Sequence, residues 1–166
     1  MPLFYPTIYR RRITDITVQD LHAMGIRGLL LDVDNTLTTY GSQELSPEIT
    51  VWLEEMKAAG FELTVVSNAW EWRVAPFARK LGLHHSSLSC KPSPFGFWRG
   101  ARRMGLKSRE CIAVGDQIFT DILGANLGGV RSVLLDPIRT DNEKPFLRFR
   151  RIWERPIRRR LREGNR

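Results

Sequence analysis

The feature that most constrains the fold is an alternation of short apolar runs with segments of helical periodicity. Aliphatic runs of this kind are typical of strands that are buried on both faces. Four of them lie along the 166 residues, at 28–33, 62–67, 110–114 and 131–135. A weaker candidate strand covers Ser86 to Ser89.

Between the runs, capping signals predict helices. Ser46-Pro47 and Ser93-Pro94 each place a capping serine before a proline, which suits the first position of a helix. Glycines follow the apolar faces of three such segments and mark their ends: Gly60, Gly82 and Gly105. Strands that alternate with helices predict an α/β fold with a parallel sheet.

Polar residues follow three of the predicted strands. Residues 32–36 (Asp-Val-Asp-Asn-Thr) follow the first, Ser67-Asn68 follow the second, and Asp116 follows the run 110–114, with Asp121 five residues later. Ligands of open parallel sheets bind outside the carboxyl ends of the strands. The sequence therefore predicts that four acids and a Ser-Asn pair meet in one crevice.

Such a cluster points to phosphate chemistry. Four carboxylates repel one another, and a cation that prefers oxygen ligands, such as Mg²⁺, removes the repulsion. A carboxylate beside that ion can attack phosphorus and form an acyl-phosphate. A second carboxylate on a turning loop, such as Asp34, suits a general acid and then a general base. Lys91, Ser67 and backbone N–H groups near Asn68 are candidate phosphate ligands.

Simpler interpretations exist for some of these residues. Asp34 and Asn35 are also typical of a turn after a strand. Asp121 would be favoured in the first turn of a helix by the helix dipole alone. The two cysteines, Cys90 and Cys111, make a disulfide framework implausible and favour a reducing compartment.

The clusters resemble the four motifs of the haloacid dehalogenase (HAD) phosphatases, in the order of that family. Residues 29–38 resemble the first motif, Ser67 the second, Lys91-Pro92 the third and residues 115–121 the fourth. The resemblance implies a doubly wound three-layer α/β/α sandwich, HAD-like and Rossmannoid, with a parallel sheet and the nucleophile on a central strand.

The same resemblance implies roles for the individual residues. It makes Asp32 the nucleophile and a Mg²⁺ ligand, and Asp34 the acid/base, with its backbone carbonyl on the metal. It makes Lys91 a catalytic cation that would contact both the phosphate and the nucleophile. It implies that Ser67 and Lys91 bind phosphate and that Thr36 helps to orient the loop. We predict that the substrate-binding residues are Thr36, Ser67, Asn68 and Lys91. The remaining acids, which would hold the metal or its waters, are Asp116 and Asp121.

No cap domain is expected, because only 32 residues separate Asp34 from Ser67 and 23 separate Ser67 from Lys91. Each gap has room for about one helix with its connections. A site without a lid is open to water and to bulky substrates. This favours a phosphate on a macromolecule or a lipid surface over a small metabolite, unless a partner in an oligomer covers the site.

The net charge of +8 lies at the C-terminal end. Residues 144–166 contain ten Lys/Arg and two Asp/Glu, whereas residues 1–143 contain sixteen of each sign. We therefore divide the chain into a phosphatase domain, 1–143, and a basic amphipathic tail, 144–166. Aromatic and aliphatic residues recur among its arginines, which is typical of a membrane-surface helix, and Pro156 is expected to bend or divide it. A solvated tail and an RNA-binding segment are the alternatives.

The whole chain resembles the YqeG family of capless phosphatases. The resemblance lies in the start (residues 2–12), residues 32–37, Ser67-Asn68, and the run 115–121 with Gly124 and Asn126. Relatives of that family in mitochondria and plastids are phosphatidylglycerophosphate phosphatases. The resemblance therefore implies a phosphoric monoester hydrolase that makes phosphatidylglycerol at an anionic membrane. The alternatives are a phosphatase for a nucleic-acid end or a soluble ester, and a non-catalytic protein that binds RNA or another partner. No secretory signal or membrane-spanning run is evident, so we expect a cytoplasmic protein at the inner face of the membrane.

Overall fold

The computed structural model describes residues 3–164, so Pro2 of the predicted start and residues 165 and 166 of the predicted tail lie outside the described residues. The strands are β1 (Ile8–Arg10), β2 (Gly28–Leu31), β3 (Glu62–Val66), β4 (His84–Ser86), β5 (Cys111–Gly115) and β6 (Arg131–Leu135). They form one sheet in the order β1-β6-β5-β2-β3-β4, and every neighbouring pair is parallel. The predicted parallel sheet is confirmed, with the strand that precedes Asp32 inside it.

Helices connect the strands. They are α1 (Val18–Ala23), α2 (Pro47–Ala58), α3 (Glu71–Lys80), α4 (Phe95–Arg103), α5 (Leu123–Leu127) and α6 (Pro145–Gly164). Ser46 caps α2 as predicted, since its hydroxyl accepts the Ile49 N–H. The matching cap on α4 does not form, because Pro94 itself is the N-cap. Helix α6 continues through Pro156 as one element, so of the two expected outcomes, a kink or two short helices, the second is wrong.

The strands have apolar residues on both faces, and helices cover each face. Leu29 and Leu31 of β2 pack in one cluster with Trp52 of α2 and Phe77 of α3. Leu30, between them, packs in a second cluster that contains residues of α4 and α5. Because successive side chains of a strand point to opposite faces, one strand supplies both cores. The three-layer sandwich is confirmed, and the described residues contain no separate cap domain between β2 and β4.

Two short edge strands differ from the prediction. The weak candidate at Ser86–Ser89 lies instead at His84–Ser86, where it pairs with β3. Strand β1, three residues long, was not predicted and pairs with β6. Among the described helices, none is both long and apolar enough to cross a bilayer.

Candidate active site

Three acids meet at the carboxyl edge of the sheet. Asp32 follows β2, Asp116 follows the adjacent β5, and Asp121 lies in a one-turn π-helical segment, Ile118–Ile122. One carboxylate oxygen from each lies within 4.8 Å of the others. All three side chains are buried, so their charges interact with little screening by water.

Lys91 joins this cluster from the loop before α4. Its Nζ lies 2.6 Å from Oδ1 of Asp32 and 2.6 Å from Oδ1 of Asp121. The side chain of Asn68 holds the backbone of Lys91: its Oδ1 accepts the Lys91 N–H at 2.7 Å, and its Nδ2 donates to the Lys91 carbonyl at 3.1 Å. Asn68, predicted to bind substrate, therefore also positions the lysine.

Burial sets the protonation of the cluster. Desolvation raises the pKa of Asp32 well above its usual value, and Asp121 and Asp116 add to the shift while Lys91 opposes it. Desolvation likewise raises the pKa of Asp116 to about 6. Burial alone would lower the pKa of Lys91, but Asp121 and Asp32 raise it above its usual value. The lysine is therefore cationic, and the acids lie in a site that favours further positive charge.

The donor set fits a divalent cation. Oδ1 of Asp116 is buried and has no hydrogen-bond partner in the part of the chain that the structure describes. A buried carboxylate oxygen without a partner is costly, and a bound cation would satisfy it. Gly115 leaves room for Asp121, since a Cβ at this glycine would lie 2.5 Å from Oδ2 of that acid. Carboxylates at this spacing are ligands that hard cations such as Mg²⁺ prefer.

Asp34 lies two residues after Asp32, and its carboxylate is held by partners outside the cluster. Its Oδ1 accepts from Nη2 of Arg73 at 2.5 Å and from the Gly41 N–H at 2.9 Å. Arg73 is in the first turn of α3 and was not singled out in the sequence.

Ser67 is buried and accepts the Ala69 N–H at 3.1 Å, and it lies one residue after β3 at the same edge.

Thr36 and its neighbour Asn35 lie in the loop that follows β2. The hydroxyl of Thr36 is buried and has no hydrogen-bond partner within residues 3–164. Asn35 donates from Nδ2 to Glu143 at 2.6 Å, which ties the loop to the segment before α6. The structure thus brings together Asp32, Asp116, Asp121, Lys91 and Asn68. It places Asp34, Thr36 and Ser67 on the segments that follow β2 and β3, and the roles of all these residues stay predictions.

Helix α6, the predicted tail, reaches into this site. Arg151 donates to the Asp116 carbonyl at 2.8 Å and also contacts Oδ2 of Asp116. It pairs with Glu143 as well, from Nε at 3.1 Å. On the same helix, Arg158 donates to the Asp116 carbonyl and pairs with Glu154, whose Oε1 accepts the Ile118 N–H at 2.8 Å. The helix therefore fixes the loop that carries Asp116.

These contacts were missed in the sequence. Arg151, Glu154 and Arg158 recur at spacings of three and four residues, which places them on one face of a helix. Glu154 lies inside the arginine-rich run, three residues after Arg151 and four before Arg158. This spacing was the signal in the sequence for an internal salt-bridge network. The predicted division of the chain between 143 and 144 stays a prediction.

Comparison with known proteins places this chain among HAD-like phosphatases. Residues 2–72 match the family described as mitochondrial PGP phosphatase, and residues 89–144 match the HAD-hydrolase-like family. The probable phosphatase YqeG of Bacillus subtilis is 36% identical over 154 residues, which cover 93% of this chain and 89% of that protein. A phosphatidylglycerophosphate phosphatase of Arabidopsis thaliana is 29% identical over 87% of this chain and 44% of its own length.

Solved structures share the fold. An uncharacterized protein from Listeria monocytogenes superposes with a TM-score of 0.58 and 18% identity, over 72% of this chain and 85% of that one. A hydrolase of the haloacid dehalogenase-like family from Streptococcus pneumoniae gives a TM-score of 0.54 and 15% identity, over 66% and 84%. At these identities the likeness establishes the architecture alone.

Proposed function

Because the chain belongs to the YqeG family of HAD-like phosphatases, we propose that it hydrolyses phosphoric monoesters through an aspartyl-phosphate on Asp32. One observation carries the proposal. Asp32 lies within 4.8 Å of Asp116 and Asp121, with Lys91 at 2.6 Å, at the carboxyl end of an inner strand. This arrangement places a nucleophile between cation ligands and a fixed positive charge.

The chemistry uses two carboxylates in sequence. The Asp32 carboxylate attacks phosphorus, the ester P–O bond breaks, and Asp34 gives its proton to the leaving oxygen. Asp34 then takes a proton from water, which attacks the phosphorus of the aspartyl-phosphate and releases phosphate and free Asp32. Arg73 holds Oδ1 of Asp34 at 2.5 Å, so this ion pair must open before that oxygen can reach the leaving group.

Lys91 and Ser67 would bind the phosphoryl group. Lys91 supplies a buried ammonium, and Ser67 supplies a hydroxyl at the same edge. Asp32, Asp116, Asp121 and the carbonyl of Asp34 would hold Mg²⁺, which when bound supplies positive charge against the phosphate and the crowded carboxylates.

We propose phosphatidylglycerophosphate as the substrate and phosphatidylglycerol as the product, made at the inner face of a membrane. Three features support this. The relatives include a phosphatidylglycerophosphate phosphatase. The described residues include no cap domain, so a substrate that stays in a bilayer can approach the site. Helix α6 has eight arginines and exposed aromatic side chains, which suit an anionic surface.

A turnover screen tests the proposal. Purified protein with Mg²⁺ is offered phosphatidylglycerophosphate in vesicles, soluble phosphate esters and 5′-phosphorylated oligonucleotides, and released phosphate is measured. We expect the lipid to be the best substrate and Asp32→Asn to abolish release. Asp141→Asn, at an exposed acid paired with Arg139, is the matched control and should be fully active. Preference for another substrate would contradict the lipid assignment, and turnover by Asp32→Asn would contradict the mechanism.

A further inference from the structure

Exposed tryptophan and phenylalanine side chains are concentrated where helices begin. Trp70 is the N-cap of α3 and Trp72 lies in its first turn, with 64% and 75% of their surfaces exposed. Phe95, the first residue of α4, is 70% exposed, and Phe146, the second residue of α6, is 68% exposed. In a parallel sheet the chain leaves each strand at its carboxyl end, so these helices all begin at the edge that carries the acids.

Neighbours of these aromatic residues reach the site. Arg73, next to Trp72, contacts Asp34 at 2.5 Å. Lys91, four residues before Phe95, contacts Asp32 at 2.6 Å. The aromatic side chains of α3 and α4 therefore stand near the mouth of the site.

Helix α6 supplies the same arrangement on another side. Its Arg151, five residues after Phe146, contacts Asp116. Phe149 and Trp153 on this helix are 57% and 64% exposed, and their rings pack 6.4 Å apart. We name the six exposed residues together the aromatic rim: Trp70, Trp72, Phe95, Phe146, Phe149 and Trp153.

Two further exposed residues of these types pack against such segments. Trp98 packs against Phe95 at 5.4 Å, and Phe4 packs against Phe119, in the segment that begins after β5, at 5.7 Å. Within residues 3–164, each exposed tryptophan or phenylalanine thus lies on, or packs against, a segment that starts at the carboxyl edge. Exposed apolar side chains concentrated in this way mark an interaction surface.

Beside the α6 part of the rim the exposed charges are positive, whereas Glu71, between Trp70 and Trp72, is held by His85 and Ser87. Arg148, Arg150 and Arg155 of α6 form no ion pair with another residue of the described chain, and Arg150 lies 5.7 Å from the centre of the Phe146 ring. By contrast, Arg151 pairs with Asp116 and Arg158 pairs with Glu154, so these two arginines of α6 bind acids inside the protein. Aromatic side chains beside unpaired arginines match the interface of an anionic bilayer, where aromatic rings sit at the headgroup level.

We propose that the aromatic rim seats the carboxyl edge of the sheet on an anionic lipid bilayer, with the mouth of the site facing the headgroups. The proposal rests on the proposed function, since a phosphate ester carried by a lipid is what brings this site to a bilayer. It differs from attachment through the basic helix alone, because α3 and α4 then also contact the membrane. A tail-only attachment leaves Trp70, Trp72 and Phe95 without a role in binding.

Vesicle binding tests the rim directly. The full chain and the double variant Trp70→Ala/Trp72→Ala are sedimented with vesicles of phosphatidylglycerol mixed with phosphatidylcholine. We expect the double variant to bind about tenfold more weakly, because it removes the apolar area of two large rings from the bilayer contact. Trp70→Phe/Trp72→Phe should recover most of the binding. Val51→Ala, at a 67% exposed residue of α2, is the matched control and should bind as the wild type does.

Turnover of a soluble monoester, p-nitrophenyl phosphate, separates the rim from the chemistry. We expect the double variant to hydrolyse it as the wild type does, since neither tryptophan belongs to the site. Unchanged vesicle binding, or a loss that appears equally in soluble turnover, would overturn the proposal. A double variant that changes oligomeric state or RNA binding, while binding vesicles normally, would assign the rim to a protein or RNA partner and overturn it too.

The proposed function and the rim can fail separately. Hydrolysis of phosphatidylglycerophosphate that is unaffected by the double substitution would reject the rim and leave the substrate. Vesicle binding that depends on the rim, without any hydrolysis of that lipid, would support the rim and reject the substrate.

Discussion

Gly115 offers a sharp test of how closely the acid cluster is packed. A Cβ at this position would lie 2.5 Å from both Cβ and Oδ2 of Asp121, whereas ordinary contacts begin at 3.4 Å. Gly115→Ala therefore moves the Asp121 carboxylate by about 1 Å, and misplacement of that size costs about 100-fold in rate. Asp121 would also lose its hydrogen bonds from Lys91 at 2.6 Å and from the Gln117 N–H at 3.0 Å.

The assay is hydrolysis of a soluble monoester at increasing Mg²⁺ concentration, with thermal unfolding measured in parallel. We expect Gly115→Ala to lower kcat/KM about 100-fold and to need more Mg²⁺, while overpacking lowers the free energy of unfolding by about 1–3 kcal/mol. Gly164→Ala is the control, because its added Cβ would meet nothing within 4 Å. Near wild-type turnover by Gly115→Ala, with unchanged Mg²⁺ dependence, would refute the proposed role of Asp121.

Three further results are expected. Arg151→Met should lower the free energy of unfolding by about 3–5 kcal/mol, because Asp116 and Glu143 lose their buried cation. Urea denaturation measures this free energy, and an unchanged urea midpoint would contradict the prediction. Mg²⁺ should raise the melting temperature more above pH 6 than below it. Burial raises the pKa of Asp116 to about 6, and the protonated carboxyl group that forms below this pH is a poor metal ligand. Equal shifts of the melting temperature at both pH values would argue against this site. Asp34→Asn should lower turnover of a soluble monoester about 10²–10⁴-fold with the fold intact, since an amide can neither give nor take the proton; normal turnover would exclude Asp34 as the acid/base.

The inner strands could be predicted because each is a run of mostly aliphatic residues that is recognisable in the sequence. Strands β2, β3, β5 and β6 are aliphatic runs that pack on both faces, so composition alone marks them. Strands β1 and β4 have three residues each, and His84–Ser86 contains no aliphatic residue. Their strand state comes from pairing with β6 and β3, which a local pattern does not contain.

The candidate site divides in the same way. Asp32, Asp116 and Asp121 could be placed together because each follows a strand of a parallel sheet, and topology brings strand ends to one edge. The contacts of Arg73 and Arg151 could not be predicted. Their partners, Asp34 and Asp116, lie 39 and 35 residues away along the chain, and the packing of α3 and α6 brings them together. The sequence predicted a basic amphipathic tail, and only the tertiary contacts of α6 separate the buried arginine Arg158 from exposed ones such as Arg159.

The central claim is that the carboxylate of Asp32 becomes phosphorylated during turnover. Protein mixed with substrate and Mg²⁺ is quenched in acid within a single turnover, and its peptides are analysed by mass spectrometry. We predict one phosphoryl group on the peptide that contains Asp32, and none there in Asp32→Asn. A phosphoryl group on another residue, or full turnover by Asp32→Asn, would contradict the account.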